Sequence, residues 1–420
     1  MTLNRNDIDL MAPVGSYESL MAAIQGGADS VYFGIESLNM RSRSSFNFTL
    51  HDLPKIAEIC ESSNINSYLT VNTVIYDNDI QQMQNIIDAA RGAGISAVIA
   101  CDHAVVSYSV KKDVKVHIST QLNISNTEAV RFYSQFADTI VLARELDLKQ
   151  AKHISDRIRE ENITGPSGNP VRLEMFVHGA LCMAVSGKCY LSLHETNKSA
   201  NRGQCLQTCR KAYTVREKET GNELEIQNEY IMSPKDLKTI HFLDKILDAG
   251  VTVLKIEGRA RSPEYVKTVT LCYNEALNAI CDNTYSEDKI REWDKKLKAV
   301  FNRGFWDGYY LGQKLGEWSA RYGSQATKRK IYIGKGMNYF TKLKVAEFLI
   351  EAGTLKTGDN ILITGPTTGV IEMKADEIRV DNKNVNEAGK GDRCSVPVND
   401  IVRRSDKLYK VVDEKDVIQQ

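Results

Sequence analysis

Short runs of β-branched and aliphatic residues alternate with amphipathic stretches from the start of the chain, which is the pattern of parallel strands joined by crossover helices. Eight such runs predict strands at 8–12, 30–35, 67–73, 96–101, 114–119, 138–143, 172–178 and 251–256. Helical spacing of apolar positions marks 16–26, 79–91 and 147–159 between them, and 263–281 after the last. The phrases GGADSVYFG, GAGISAVIACD and DAGVTVLKIEGR each join a glycine-marked helix end to a strand, a repeat of βα units. Eight units predict a TIM-type (βα)8 barrel over residues 1–281, and a doubly wound sheet is the alternative if a strand is miscounted.

The repeat breaks once, between the seventh strand and its helix, in an insertion over 179–233 that carries a cluster of cysteines. Long insertions in compact domains are functional or disordered more often than not. After the eighth helix a helical and aromatic connector, 282–327, reads as a linker packed on the barrel. From 328 to 420 the pattern changes to short alternating strands and turns, including LKTGDNILITGPTTG, which predicts a small all-β C-terminal barrel domain.

Composition changes this picture little. Lys plus Arg and Asp plus Glu both number 54, so net charge points to no polyanionic partner, and a basic site must be local. The N-terminus lacks the apolar core of a signal peptide and no run approaches a membrane span, so a cytoplasmic protein without a membrane partner is expected.

Chemistry concentrates at two places. In a TIM-type barrel the site lies at the C-terminal ends of the strands, which singles out Asn72, Asp102, Gln121, Asn123, Arg144, His178 and Glu257. Each of them alone could simply be a loop hydrogen-bonder. Four of the nine cysteines fall as Cys182-x6-Cys189-x15-Cys205-x3-Cys209, while Cys60, Cys101, Cys272, Cys281 and Cys394 are scattered as packing residues. Clustered thiolates hold zinc or an iron-sulfur centre. The wide gaps and the nearby barrel mouth favour a 4Fe-4S cluster, with free thiols or two bridges as the plain alternative.

The segment EMFVHGALCMAVSGKCYLS at 174–192 resembles the signature of peptidase family U32, the collagenase-like peptidases. APVG at 12–15, GADSVYFG at 27–34, NRGQC at 201–205, KIEGR at 255–259 and SPEYV at 262–266 resemble the same family. The resemblance implies an O2-independent hydroxylase with a 4Fe-4S centre, acting on tRNA wobble uridine, on an rRNA cytidine or on ubiquinone precursors. It maps the cluster ligands to Cys182, Cys189 and Cys205, with Cys209 as the natural fourth. For the tRNA branch it implies prephenate as hydroxyl donor, a small anion that Arg144, His178, Glu257 and Arg259 are expected to hold at the barrel mouth as catalytic residues, since a guanidinium fork matches a carboxylate.

Around the cysteines, Lys188, Lys198, Arg202, Arg210, Lys211 and Arg216 stand against Glu195 alone, an excess of five positive charges. Lys188, Arg202, Arg210 and Lys211 are therefore expected to contact RNA phosphates, with Tyr190 and Tyr213 available for stacking and a solvated loop as the plain alternative. The preferred function is hydroxylation of tRNA. A collagenase-like peptidase is the competing class, although no HExxH or GxSxG motif is present. Hydroxylation of rRNA cytidine and a non-catalytic iron-sulfur scaffold are further alternatives.

Overall fold

The computed structural model describes residues 4–42, 48–214, 232–313, 316–320 and 322–417. Seven strands, β1 (Asp9–Pro13), β2 (Ser30–Phe33), β3 (Asn66–Val71), β4 (Ala97–Ala100), β5 (Val116–Ile118), β6 (Thr139–Val141) and β7 (Arg172–Gly179), pair in parallel in chain order. A short strand, β8 (Asp236–Lys238), runs antiparallel to the end of β7. Strand β9 (Val251–Ile256) then pairs in parallel with both β7 and β1, closing an eight-stranded parallel barrel. Every predicted strand is present within about three residues at either end. Near-continuous apolar runs suit strands covered by helices outside and by side chains inside.

The helices that cover the barrel are α1 (Tyr17–Gln25), α2 (Leu53–Ser62), α3 (Ile80–Gly92), α4 (His103–Lys111), α5 (Thr127–Ser134) and α6 (Leu148–Glu160). After the insertion's own short helix α7 (Leu191–Thr196) come α8 (Leu243–Asp248) and α9 (Pro263–Cys281). Short polar side chains fix where several of them begin. The Ser16 hydroxyl accepts from Ser19 N, Asp102 accepts from Ala104 N, and Asp147 and Gln150 form a reciprocal capping box. The repeated glycine after the helix has one cause: Gly27, Gly94 and Gly250 adopt φ of +78°, +77° and +80°, the left-handed region a side chain disfavours.

The connector is stitched into the barrel mouth. Its helix α10 (Glu287–Ala299) lies on α9, where Trp293 Nε1 donates to Glu275 at 2.8 Å. Strand β10 (Phe305–Trp306) extends the barrel sheet through β8, and the Tyr310 hydroxyl donates to the Phe176 carbonyl at 2.7 Å.

The C-terminal region is antiparallel. It runs through β11 (Lys328–Phe340), β12 (Val345–Ile350), β13 (Thr354–Lys356), β14 (Asn360–Gly365), β15 (Gly369–Lys374), β16 (Ile378–Val380), β17 (Lys383–Val385), β18 (Glu387–Gly389), β19 (Arg393–Pro397) and β20 (Lys407–Asp413). Eight strands form one sheet, and β13 and β18 form a separate ribbon. Residues of sheet and ribbon share a single apolar core that includes Phe348, Leu355, Ile363, Ala388 and Leu408, so the sheet curls around it. This region docks on α1 and α9. Gln25 donates to the Thr368 carbonyl and accepts from Val370 N, both at 2.9 Å, and Lys267 donates to the Val370 carbonyl at 2.8 Å.

Candidate active site at the barrel mouth

Below the mouth, the barrel interior sets charged side chains among apolar ones such as Met11, Ile99 and Val253. Glu174 on β7 is fully buried, its Oε1 2.7 Å from Lys255 Nζ on β9 and its Oε2 3.7 Å from His117 Nδ1 on β5. Burial opposes ionisation of Glu174, but Lys255 and His117 outweigh it and hold the carboxyl below its usual range. Lys255 also lies over the rings of Tyr32 and Phe176, at 4.6 and 5.6 Å from their centroids. Deeper still, the Asp9 carboxylate accepts from Ser30 Oγ at 2.5 Å and Tyr68 OH at 3.1 Å.

Above this floor opens a cavity of about 360 Å³. Arg144, Glu257 and Arg259 line it together with Cys182, Cys189, Cys205 and Cys209. Glu257 accepts from Arg41 Nη2 at 2.7 Å and from Tyr32 OH at 3.1 Å. Its burial would raise its pKa, yet Arg41 and Arg259 hold it below the usual carboxylate range. Arg259 is buried, donates to Thr70 Oγ1 at 2.7 Å and Asn39 Oδ1 at 3.2 Å, and keeps Nε without a partner. Arg144 has no hydrogen bond or ion pair among the described residues, so its guanidinium is free to meet a ligand.

The insertion is held over this cavity by backbone contacts. Asn123 Nδ2 donates to the Ser186 carbonyl at 2.9 Å, and Val74 N donates to the Asn201 carbonyl at 3.2 Å. Gly203 sits at φ +78° with Asn39 O only 2.2 Å from where a Cβ would stand, so a larger residue there would push the insertion off the barrel. All four clustered cysteines are free thiols, and Cys209 lies within electrostatic range of the other three. Burial pushes the Cys209 thiol up to about 11, and burial also raises Cys189. Among the described residues no three His, Cys, Asp or Glu side chains stand close enough to hold a single ion. Four free thiols around one cavity nonetheless fit the donor set of a polynuclear iron-sulfur centre, which takes four thiolates.

Several expected residues are placed differently. His178 does not line the cavity. The register of β7 against β9 shifts between Phe176 and His178, so Phe176 lies opposite Lys255 but His178 opposite Ile256. The extra residue turns His178 to the helix side. There its Nδ1 is 3.3 Å from Tyr273 OH, whose own proton goes to the Val177 carbonyl at 2.7 Å. Burial, then Lys238 and Arg261, lower its pKa to about 3, and a neutral packed imidazole is no acid or base for this cavity.

Of the expected phosphate contacts, Arg202 pairs with Asp79 and stacks on Tyr76. Lys211 pairs with Glu195 at 2.9 Å. Arg210 is buried, donating to Ser233 Oγ at 3.0 Å, Pro234 O at 2.6 Å and Leu181 O at 2.5 Å, and burial lowers its pKa to about 10. These three hold the insertion in shape. Lys188 alone of the four is exposed without a partner among the described residues, as is Lys198, and Arg216 lies outside the described residues.

Conversely, Tyr32, Arg41, Lys255 and Arg303 line the cavity without having been singled out. Lys255 was legible: it lies in the predicted strand 251–256 two residues before Glu257, and period-two alternation puts it on the same side as that candidate. Arg41 and Arg303 come from a loop and from the connector, where no periodicity points inward.

A model of peptidase family U32 matches residues 15–320. The chain is 65% identical over 408 residues to a protein named collagenase from Porphyromonas gingivalis strain W83, covering 97% of this chain and 99% of that one. It is 30% identical over 366 residues to tRNA hydroxylation protein P1 of Bacillus subtilis, covering 85% and 83%. It is 32% identical over 403 residues to the 23S rRNA 5-hydroxycytidine C2501 synthase of Escherichia coli, covering 90% of this chain and 58% of that protein.

Proposed function

The chain belongs to peptidase family U32, and from that premise we propose that it is an iron-sulfur-dependent RNA hydroxylase, replacing the C5 hydrogen of a pyrimidine by hydroxyl without O2. The finer reading is 5-hydroxyuridine at the tRNA wobble position, with prephenate as the hydroxyl donor: the donor's C–OH bond breaks, the donor takes up the displaced hydrogen and is reduced by two electrons, and the uridine is oxidised by two. Relatives named for tRNA and rRNA hydroxylation support the substrate class.

The observation that carries the reading is the charge of the cavity around the thiols. Among the described residues, seven Lys or Arg side chains line it against one carboxylate, Glu257. Arg41 is paired with Glu257, Lys255 with Glu174 and Arg303 with Asp236, which leaves Arg144, Arg210, Arg259 and Arg261 without an ion pair of their own among the described residues. Arg210 draws Cys209 toward the thiolate form that metal ligation needs, against the larger opposing effect of burial. Cys182, Cys189, Cys205 and Cys209 would hold a 4Fe-4S cluster, which would supply redox and Lewis-acid chemistry next to the substrate. The chain's own residues do the rest. Arg144 binds a carboxylate of the small anionic donor, Arg259 and the Arg41–Glu257 pair orient it, and the insertion screens the cavity from water.

Nucleoside mass spectrometry of tRNA and rRNA from a deletion strain tests this. We expect one 5-hydroxypyrimidine to disappear, to return with the parent gene, and not to return with Cys182→Ala. An unchanged modification profile refutes the reading. Proteolysis is the second reading, favoured by the name of the 65% identical relative. A hydrolase needs an activated nucleophile or a metal-bound water, and among the described residues no His lines the cavity to activate a thiol. Digestion of denatured collagen by purified protein, unaffected by Arg144→Ala, would decide for it.

A further inference from the structure

The cations of the insertion are mostly tied up, but another set in the C-terminal region is not. The hairpin between β11 and β12 ends in Phe340, Lys342, Leu343 and Lys344, all exposed, with Leu343 at 73%. A loop at 399–405 lies against it: Val398 N donates to the Lys344 carbonyl at 2.9 Å, Tyr339 OH to the Asn399 carbonyl at 3.2 Å, and Ser405 N to the Gly336 carbonyl at 2.8 Å. This loop adds exposed Ile401, Arg403 and Arg404. Lys342, Lys344 and Arg404 make no side-chain hydrogen bond or ion pair among the described residues, and Arg403 only senses the buried Asp406. Asp400 is the one acid within the two segments.

We propose that this hairpin tip and loop form a contact surface for the sugar-phosphate backbone and unstacked bases of RNA. The proposal rests on the RNA reading above and names where, outside the cavity, the substrate is held. Four positive charges against one negative complement a phosphate chain, and apolar side chains set between them offer faces for bases. The surface is also fixed relative to the cavity. Thr368 Oγ1 donates to Asp406 Oδ2 at 2.6 Å, Asp406 accepts from Arg403 N at 2.7 Å, and the Thr368 carbonyl accepts from Gln25 at the end of α1. An RNA held here therefore meets the barrel in a set orientation.

Equilibrium binding of bulk tRNA, measured between about 50 and 200 mM salt, tests the assignment. The triple variant Lys342→Glu, Lys344→Glu, Arg404→Glu should bind at least about tenfold more weakly at the low-salt end, with a salt slope shallower by about 2. Phe340→Ala should weaken binding at every salt concentration without changing the slope. A control triple, Lys374→Glu, Lys383→Glu, Lys390→Glu, makes the same charge change at exposed sites elsewhere in this region and should have little effect. Equal losses from the two triples would mean that only net charge matters and would overturn the surface. A patch triple that binds like the parent overturns it while leaving the RNA reading standing, whereas a parent that binds no tRNA refutes the RNA reading itself. Vesicles of anionic phospholipid provide the last arm. If the patch triple loses vesicle binding but keeps tRNA binding, the surface faces a membrane and the proposal is wrong.

Discussion

The barrel and the C-terminal sheet bury very different things. The barrel interior encloses Asp9, His117, Glu174, Lys255 and Arg259, while the C-terminal region has Asp406 as its one buried carboxylate among the described residues. Burying a charge is costly unless it is paired, so a fold under no other demand fills its interior with apolar side chains, as the C-terminal core does. Of the barrel's buried charges, Lys255 and Arg259 line the cavity with four thiols, and Glu174 and His117 are tied to Lys255 beneath it. In the function proposed above, the costly buried charge lies at the site of chemistry and the unpaired surface charge at the RNA contact.

The sharpest way to break this contrast is to compare cysteines. Cys182→Ala, Cys189→Ala or Cys205→Ala should abolish iron content and the visible sulfur-to-iron absorption of anaerobically purified protein. Cys60→Ala and Cys394→Ala, both buried in apolar cores, should keep both and lose only about 1–3 kcal/mol of stability to the small cavity created. Iron analysis and urea denaturation read the two outcomes separately. Equal loss of iron from both sets would mean that the cavity thiols hold no centre.

Next in size is the buried pair. Lys255→Met strands Glu174 without its partner and should destabilise the protein by about 3–5 kcal/mol. The double variant with Glu174→Gln should recover much of that. Lys356→Met in the C-terminal region breaks only an exposed contact with Glu387 at 3.5 Å and should cost less than about 1 kcal/mol. Chemical denaturation measures all three. A Lys255→Met loss no larger than that of Lys356→Met would show that water reaches the barrel interior.

The repeat of helix, glycine and strand made the barrel legible in the sequence, because a period in hydrophobicity reports directly on which face is buried. The cysteine spacing likewise pointed to the cavity, since thiols on one inserted loop must stay near each other. The failures share a physical cause. The single extra residue in β7 that turns His178 away leaves no trace in hydrophobic alternation, because both sides of a barrel strand are buried. The excess of five positive charges was real, but sequence separation hid that Asp79, 123 residues before Arg202, takes up one of them. Net charge counts residues, whereas binding depends on which of them are unpaired.

His178 sharpens the comparison through pH. Its pKa of about 3 lies below the 6.5 of an accessible histidine because burial, reinforced by Lys238 and Arg261, disfavours the cation. Above pH 6.5 both folded and unfolded states are neutral at this site and its effect is absent. As pH falls from 6.5 toward 3, the unfolded chain takes up a proton that the folded chain refuses, so stability falls. His178→Phe should flatten that part of the stability curve measured by denaturation at stepped pH, while RNA binding at pH 7.5 stays unchanged. A parent and variant with parallel curves would mean that His178 is accessible to protonation in the fold.

The smallest effect expected is at the seam between the two regions. Gln25 spans it with both ends of its amide, donating to the Thr368 carbonyl and accepting from Val370 N. At about 0.5–1.5 kcal/mol for each bond, Gln25→Ala should cost about 1–3 kcal/mol of docking while touching neither the cavity nor the C-terminal core. The apolar contacts of Leu362 and Val370 with the barrel core remain, so the two regions should stay attached. What should change is their coupling. In the parent, calorimetric unfolding is expected as one transition, and in Gln25→Ala the C-terminal sheet should begin to separate as an earlier shoulder, with iron content unaltered. The same loosening should weaken tRNA binding modestly, because a surface that no longer holds its angle to the cavity pays more ordering entropy when both engage one RNA. A variant with an unchanged melt and unchanged affinity would show that the apolar seam alone fixes the orientation, and that the paired amide bonds of Gln25 contribute nothing beyond it.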